Sequence, residues 1–386
     1  MNQNKIRMGM IGGGKNAFIG AIHRAAANMD GLIELCCGAF SSHPETSIES
    51  GIELGLPKDR IYSSYKEMIE KESHLPAEKR MQFVSIVTPN NAHFAPAMLA
   101  LEHGFNVMIE KPMTFSLDEA KQLRKKVEET GLLLGLAHTY SGYPMVKQAR
   151  QMVKENAFGK IRKIYVQYPQ GWLSELSEKE NNKQAAWRTD PAKSGKAGAM
   201  GDIGTHAAHL AEYISGLKIT KICADINTIV EGRALDDDGA ALLKFDNGAS
   251  GVLIATQVAT GEENNLRINI YGEKGGLEWH QMEPNTLLIR WKDAPAQVFR
   301  AGNPYLSDAA KHNTRTPGGH PEGYIEAFAN IYRNFALTLT AKLNGEKPTP
   351  EMLDFPGVED GVRGMAFIDS VIASGLSDKK WFDFII

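Results

Sequence analysis

The segment Met8-Gly9-Met10-Ile11-Gly12-Gly13-Gly14-Lys15-Asn16-Ala17 constrains this chain more than any other. A short apolar run that reads as a strand ends in three consecutive glycines, and a stretch compatible with a helix follows. Gly12, Gly14 and Ala17 stand in G-x-G-x-x-A spacing. Glycine at these positions permits a tight turn and close backbone approach to a pyrophosphate, which then rests on the partly positive N-terminus of the following helix. A chain that opens in this way is expected to build a parallel sheet with a dinucleotide site at its first strand. The interval from Asn16 to Gly20, ahead of His23, predicts a late helix start, so Ala17 has a less defined part than the two glycines.

The first third keeps the corresponding rhythm. Ile6 to Ile11, Ile33 to Phe40, Phe83 to Val87, Asn106 to Ile109 and Leu132 to Leu136 read as short apolar strands separated by segments that can be helical, which predicts five parallel strands. From about Tyr140 the rhythm changes. A helix over Met145 to Asn156 leads into alternating runs at Ile161 to Tyr168, Ala240 to Phe245, Gly251 to Thr256 and Leu266 to Tyr271, with a hairpin signal at Asp246-Asn247-Gly248. At roughly 150 residues per domain, 386 residues hold two or three domains. The expected fold is α/β: a Rossmann, doubly wound parallel sheet over residues 1–140, then an α+β domain over 141–386 with a large, open, mainly antiparallel sheet. A final helix, Glu359 to Ser374, is expected to pack back.

Composition narrows the partners. Hydrophobic residues make up 42% and charged residues 23% of the chain, as in ordinary soluble proteins. The 43 Lys and Arg against 46 Asp and Glu leave a formal charge of −3, which gives no electrostatic footprint for nucleic acid or an anionic membrane. Cys36, Cys37 and Cys223 offer no disulfide framework, which predicts a cytoplasmic setting. No apolar run approaches a membrane span, and the apolar stretch from Met8 to Ile11 is too short for a signal sequence. One open sheet face is left available for a partner subunit, so a homodimer or homotetramer is expected.

Two strand ends carry candidate chemistry. The second strand closes on Phe40-Ser41-Ser42-His43, where an acid would hold the ribose 2′-hydroxyl of NAD. Ser41 and Ser42 tolerate a 2′-phosphate, so NAD(P) is expected with a lean to NADP; alternatively the two serines cap the helix after Pro44. The fourth strand closes on Glu110-Lys111-Pro112. Open α/β sheets bind ligands at that edge, proline holds Lys111 out of helical geometry, and Glu110 is placed to orient it.

A third candidate is helical. Asp202 and His206 are four apart, which puts them on one face, with His209 close by. Gly198, Gly201 and Gly204 predict an irregular helix start with close backbone approach. Three readings stand: a catalytic pair, a satisfied core histidine, or a metal site completed by His320 or Glu322. A further inventory of aromatic and hydrogen-bonding groups (Tyr140, Tyr143, Trp172, Arg188, Asp236, Asp237, His320, Glu322 and Tyr324) suits a polyhydroxylated ring.

The glycine loop, Thr88-Pro89-Asn90 with His93, and Glu110-Lys111-Pro112 together resemble the Gfo/Idh/MocA oxidoreductase family. The likeness continues through Trp187-Arg188-x-Asp190-Pro191, the Gly198 to His206 segment and Gly272-x-x-Gly275-Gly276, and so covers nearly the whole chain. It implies NAD(P)-dependent oxidation of a secondary hydroxyl on a sugar, sugar derivative or cyclitol, or the reverse reduction, without a metal. Lys111, Asp202 and His206 map to the catalytic set. Gly12, Gly14, Ala17, Ser41, Ser42, Thr88, Pro89, Asn90, His93, Glu110 and Lys111 are expected at the cofactor. Lys111, Tyr140, Tyr143, Trp172, Arg188, Asp202, His206 and His320 are expected at the substrate. An NAD-using glycoside hydrolase of the same family and a non-catalytic dinucleotide sensor are the alternatives.

Overall fold

The computed structural model describes residues 5–15, 17–180 and 182–386; Asn16 of the glycine segment lies outside them. The chain forms two compact units, residues 1–139 with 328–362 and residues 140–327 with 363–386. The sequence division at 140/141 therefore needs a correction, because 328–362 belong to the first unit. The reason is packing: Phe335 meets Phe83 with ring centroids 5.1 Å apart and Phe355 at 5.6 Å, closing the apolar face of the parallel sheet.

The first unit runs β1 (Ile6–Gly12), α1 (Phe18–Asn28), β2 (Ile33–Ala39), α2 (Pro44–Glu53), α3 (Tyr65–Ser73), β3 (Phe83–Val87), α4 (Phe94–Glu102), β4 (Asn106–Ile109), α5 (Leu117–Thr130) and β5 (Leu134–Leu136). The five strands lie in the order β2-β1-β3-β4-β5, all parallel. Strand order reverses between β1 and β3, which opens a crevice at their carboxyl ends. The strands are continuous apolar runs because both faces are covered: β3 and β4 are buried throughout.

The second unit begins with α6 (Pro144–Lys154), β6 (Lys163–Pro169), α7 (Lys183–Arg188), α8 (Pro191–Ser194) and α9 (Thr205–Ser215). It continues with β7 (Ile219–Asn227), β8 (Asp238–Phe245), β9 (Ser250–Thr256), β10 (Arg267–Tyr271), β11 (Gly275–His280), β12 (Thr286–Trp291), β13 (Gln297–Arg300) and α10 (Asp308–His312). After α11 (Tyr324–Leu343) and α12 (Val358–Gly375), both shared between the units, β14 (Phe382–Asp383) ends the chain. Nine strands form one sheet, β13-β12-β11-β10-β6-β9-β8-β7-β14. All neighbours are antiparallel except β6 and β9. Alternation sets its faces: in β8, Ala241, Leu243 and Phe245 enter the core while Leu242 is exposed. The Asp246-Asn247-Gly248 hairpin forms as expected, with Gly248 at φ +88°.

Candidate functional site

In the first unit the structure gathers three loops at one sheet edge. Gly12 pairs with Val87 and Ile86 with Ile109, so the glycine loop, Thr88-Pro89-Asn90 and Glu110-Lys111 leave β1, β3 and β4 side by side. Gly12 has φ +81°, and a Cβ there would sit 3.0 Å from the Val87 carbonyl oxygen. Ala17 is the N-cap of α1 and offers no side-chain cap to the first turn. The close strand–helix contact expected around it is made by Gly20 instead, where an added Cβ would lie 2.3 Å from Gly13 Cα. Sequence reading missed Gly20 because the late helix start displaces the contact by one turn. A narrow glycine turn, a close helix and uncapped N–H groups at the start of an eleven-residue helix fit a dinucleotide pyrophosphate.

Around this edge the strand ends are braced. Glu110 Oε2 accepts from the Lys111 amide at 2.9 Å and Oε1 lies 2.8 Å from His23 Nε2. His23 Nδ1 meets Tyr332 Oη at 2.6 Å, and Tyr332 Oη meets Ser85 Oγ at 2.7 Å. Burial works against the charge on Glu110, but the hydrogen bond and charge of His23, with those of Lys111, outweigh it and hold the carboxyl below its ordinary range. His93, fully buried, spans two loops: Nε2 lies 2.8 Å from the Thr88 carbonyl oxygen and Nδ1 2.8 Å from that of Pro112. Burial pushes its imidazole down despite these carbonyls. The placement makes His93 a clasp between loops. Asn90 is buried beside it. Neither Ser41 nor Ser42 caps α2: the N-cap is His43, whose amide donates to Ser41 Oγ, and Ser42 is exposed.

The second unit supplies a polar and aromatic cluster. Asp202 lies in a π turn, Met200–Gly204, that runs directly into α9, where His206 occupies the first turn; such turns recur at functional positions. The irregular start is held by Asp236, which accepts from the Gly198 and Met200 amides at 2.6 and 2.8 Å. Asp237 likewise braces a loop, accepting from Ile229 and Val230. His206 is 8% exposed and meets Tyr140 edge-on at 4.8 Å. The Tyr140 and Tyr168 hydroxyls are hydrogen-bonded to each other, and Asn264 bonds both. Burial, with Tyr140 beside it, pushes the Tyr168 phenol well up.

Asp202 Oδ2 accepts from Gln257 Nε2 at 3.0 Å and pairs with Arg188 Nε at 3.3 Å. Arg188 in turn stacks on Trp187 at 4.3 Å and reaches Trp172 at 5.8 Å. Trp172 donates to Gln170, whose amide donates to Asn264. Gln170, Gln257 and Asn264 escaped sequence reading, since amides carry no spacing signature. The available signal was topological: Gln170 and Gln257 each follow the end of one strand of the parallel β6–β9 pair, in which Pro169 faces Thr256.

Tyr143 stacks behind Tyr140 with ring centroids 6.5 Å apart; it is 2% exposed and packs on Trp279 at 5.4 Å, where burial raises its phenol. His320 is exposed, with Nδ1 3.3 Å from Pro317 O of its own loop, while buried Glu322 holds that loop through the Thr316 amide at 2.7 Å. His209 stacks on Tyr213 at 5.7 Å.

A glycine loop at the switch point of a parallel sheet, followed by an antiparallel-sheet unit bearing an Asp/His helix, defines a two-unit oxidoreductase with an NAD-binding Rossmann fold. Residues 6–138 match the model of the "Oxidoreductase family, NAD-binding Rossmann fold" and residues 146–278 that of the "GFO/IDH/MocA C-terminal domain". The chain belongs to the Gfo/Idh/MocA family. It is 31% identical to the uncharacterized oxidoreductase YfiI of Bacillus subtilis, over 98% of this chain and 97% of that one. Its fold matches an inositol dehydrogenase homolog complexed with NAD+ from Azotobacter vinelandii, with TM-score 0.93 and 34% identity over 98% and 97% of the two chains. An oxidoreductase from Sinorhizobium meliloti matches with TM-score 0.89 and 41% identity, over 98% and 100%.

Proposed function

We propose that this chain is an NAD(P)-dependent dehydrogenase, or reductase, of a secondary hydroxyl on a neutral sugar, sugar derivative or cyclitol. The observation that carries the reading is the cluster around His206. A carboxylate, three amides, paired phenols and a tryptophan rim are the groups that orient and stack a polyhydroxylated ring. The Arg188 partner balances the charge of Asp202, which suits an uncharged ring better than a sugar phosphate. The inositol dehydrogenase homolog supports the same substrate class.

When bound, a nicotinamide cofactor would supply the hydride acceptor in oxidation or the donor in reduction. The chain does the rest. Lys111 hydrogen-bonds the substrate oxygen and stabilises its developing charge. His206 takes the hydroxyl proton in oxidation and returns it in reduction. Asp202 orients a neighbouring hydroxyl. Ser41 and Ser42, standing where an acid would select NAD, tolerate a 2′-phosphate and give a lean toward NADP. We place the protein in the cytoplasm, in line with its three free cysteines; among the described residues no helix is long and apolar enough to cross a membrane.

The test is reduced-cofactor formation from NAD and NADP across sugars, glycosides and inositols. Turnover on a polyol with net reduced cofactor is the expected result. Glycoside cleavage without net reduction would replace the dehydrogenase with a hydrolase, and cofactor binding without turnover on any compound would replace it with a sensor.

A further inference from the structure

A hydrogen-bond chain joins Asp202 to the phenols beside His206, and every link in it runs one way. The Asp202 carboxylate only accepts, and it takes a hydrogen bond from Gln257 Nε2 at 3.0 Å, so the Gln257 amide nitrogen faces it. The same nitrogen lies 3.5 Å from Gln170 Oε1. Trp172 Nε1, a donor that cannot accept, reaches that oxygen at 3.0 Å. Both neighbours therefore fix Gln170 with its oxygen toward them and its nitrogen toward Asn264, whose Oδ1 accepts at 2.6 Å. Tyr168 donates to the same Oδ1 at 2.6 Å, and Asn264 Nδ2 donates to Tyr140 Oη at 3.1 Å. The single hydroxyl proton of Tyr168 is thus committed to Asn264. In the bond between the two phenols Tyr140 is the donor. Reversing either amide would set oxygen against oxygen or nitrogen against nitrogen, so the chain has one arrangement.

We infer that Gln170 and Asn264 are positioning residues: they fix the direction of the Tyr140 hydroxyl and so hold that ring edge-on against His206. The inference rests on the dehydrogenase reading above and extends it to two side chains that act on the proton-handling group through Tyr140, not on the substrate. Tyr140 and His206 have ring centroids 4.8 Å apart, so a turn of the phenol changes the contact and the dipole that the imidazole meets. Tyr140 and Tyr168 are both buried, and hydrogen bonds shielded from water hold their direction most firmly. Gln170 starts from a fixed backbone. Its amide donates to the Thr256 carbonyl at 2.8 Å and its carbonyl accepts from Ala259 at 2.9 Å, just past the point where Pro169 of β6 faces Thr256 of β9.

The experiment is a double-mutant cycle in the full chain, with kcat, KM and Tm measured on the polyol that the wild-type chain turns over. Gln170→Met keeps the length of the side chain and removes its hydrogen bonds. It is expected to lower kcat about three- to tenfold while KM changes by less than about twofold. In a Tyr140→Phe background no hydroxyl is left to direct, and the same change is expected to cost less than about 1.5-fold. Asn264→Leu is expected to behave alike in the two backgrounds. Equal losses with and without the Tyr140 hydroxyl, or a change in KM alone, would place the amides on the substrate and overturn the inference. A lower Tm with kcat per folded molecule unchanged also overturns it, because the network is then structural only. A wild-type chain that binds NADH but turns over no polyol overturns the dehydrogenase reading, and the inference falls with it; the wild-type assay alone reports that outcome.

Discussion

His23 Nε2 lies 2.8 Å from Glu110 Oε1, and the histidine is wholly buried. Through this contact α1 is bonded to the end of β4, and through Tyr332 the brace reaches α11, 309 residues along the chain. Glu110 has two tasks for its two oxygens, His23 on one and the Lys111 amide on the other. Removing His23 leaves a buried carboxylate oxygen and the Tyr332 hydroxyl without that partner. His23→Ala is expected to destabilise the protein by about 1–3 kcal/mol, measured by urea unfolding; His23→Gln, which restores a donor, should recover part of the loss. Unchanged stability in the alanine variant would show that the brace is not structural.

His93 gives the stability a pH dependence. Its native imidazole titrates below the ordinary 6.5, because burial disfavours the cation. Between those two values the unfolded chain binds a proton that the native state does not, so stability is present above about pH 6.5 and falls as the solution is acidified. Glu110 adds a separate loss below its ordinary 4.5, since its native carboxyl is depressed and stability disappears as pH drops through that lower value. Unfolding free energy measured from about pH 7 to 5 should decline with a slope of up to about 1.4 kcal/mol per pH unit from His93. His93→Gln should flatten it. An equal slope in the variant would assign the loss to other groups.

Much of this architecture is legible in the residues. The five parallel strands show because strands buried on both faces are uninterrupted apolar runs; Phe83–Val87 and Asn106–Ile109 fall where the sequence places them. The glycine loop shows because its turn admits few residue types. What escaped depends on distance in space. Gly20 matters through its approach to Gly13, and Tyr332 through a histidine far away in sequence. Nothing in the residue order of 328–362 ties them to the first unit; the meeting of Phe335 with Phe83 does.

The end of β2 makes a claim about the cofactor. Ser42 is exposed and lies outside the N-cap of α2, so replacing it does not unpin the helix. Ser42→Asp is expected to shift preference toward NAD, by offering the 2′-hydroxyl an acceptor and repelling a 2′-phosphate. Unchanged NADP affinity in this variant would show that the strand end does not line the adenosine pocket.

The exposed face of the nine-stranded sheet makes a claim about assembly. Tyr165, Leu242, Ile254 and Tyr271 stand exposed on β6, β8, β9 and β10, while their strand neighbours fill the core. A second copy laid on this face would cover it by two-fold symmetry. A homodimer or homotetramer is the expected mass by light scattering at micromolar concentration, and Leu242→Lys should weaken it. A monomeric wild-type chain would leave the face without this role.

The last claim separates chemistry from packing at Lys111 and His206. If Lys111 stabilises charge on the substrate oxygen and His206 handles its proton, neither is needed to hold the dinucleotide, whose pyrophosphate is assigned to the Gly12–Gly14 loop. Lys111→Ala and His206→Ala should each lower kcat by roughly 10²- to 10⁴-fold with cofactor affinity and Tm little changed. His206 is 8% exposed and sits against Tyr140 at 4.8 Å, so a packing role makes a different forecast. Its removal would then cost about 1–3 kcal/mol of stability, and turnover per folded molecule would survive. Paired measurement of kcat, Tm and NADH titration for both variants reads these outcomes separately. A stable, cofactor-binding His206→Ala protein with near-normal turnover would remove the proton-transfer role from this histidine and leave Lys111 to carry the chemistry alone.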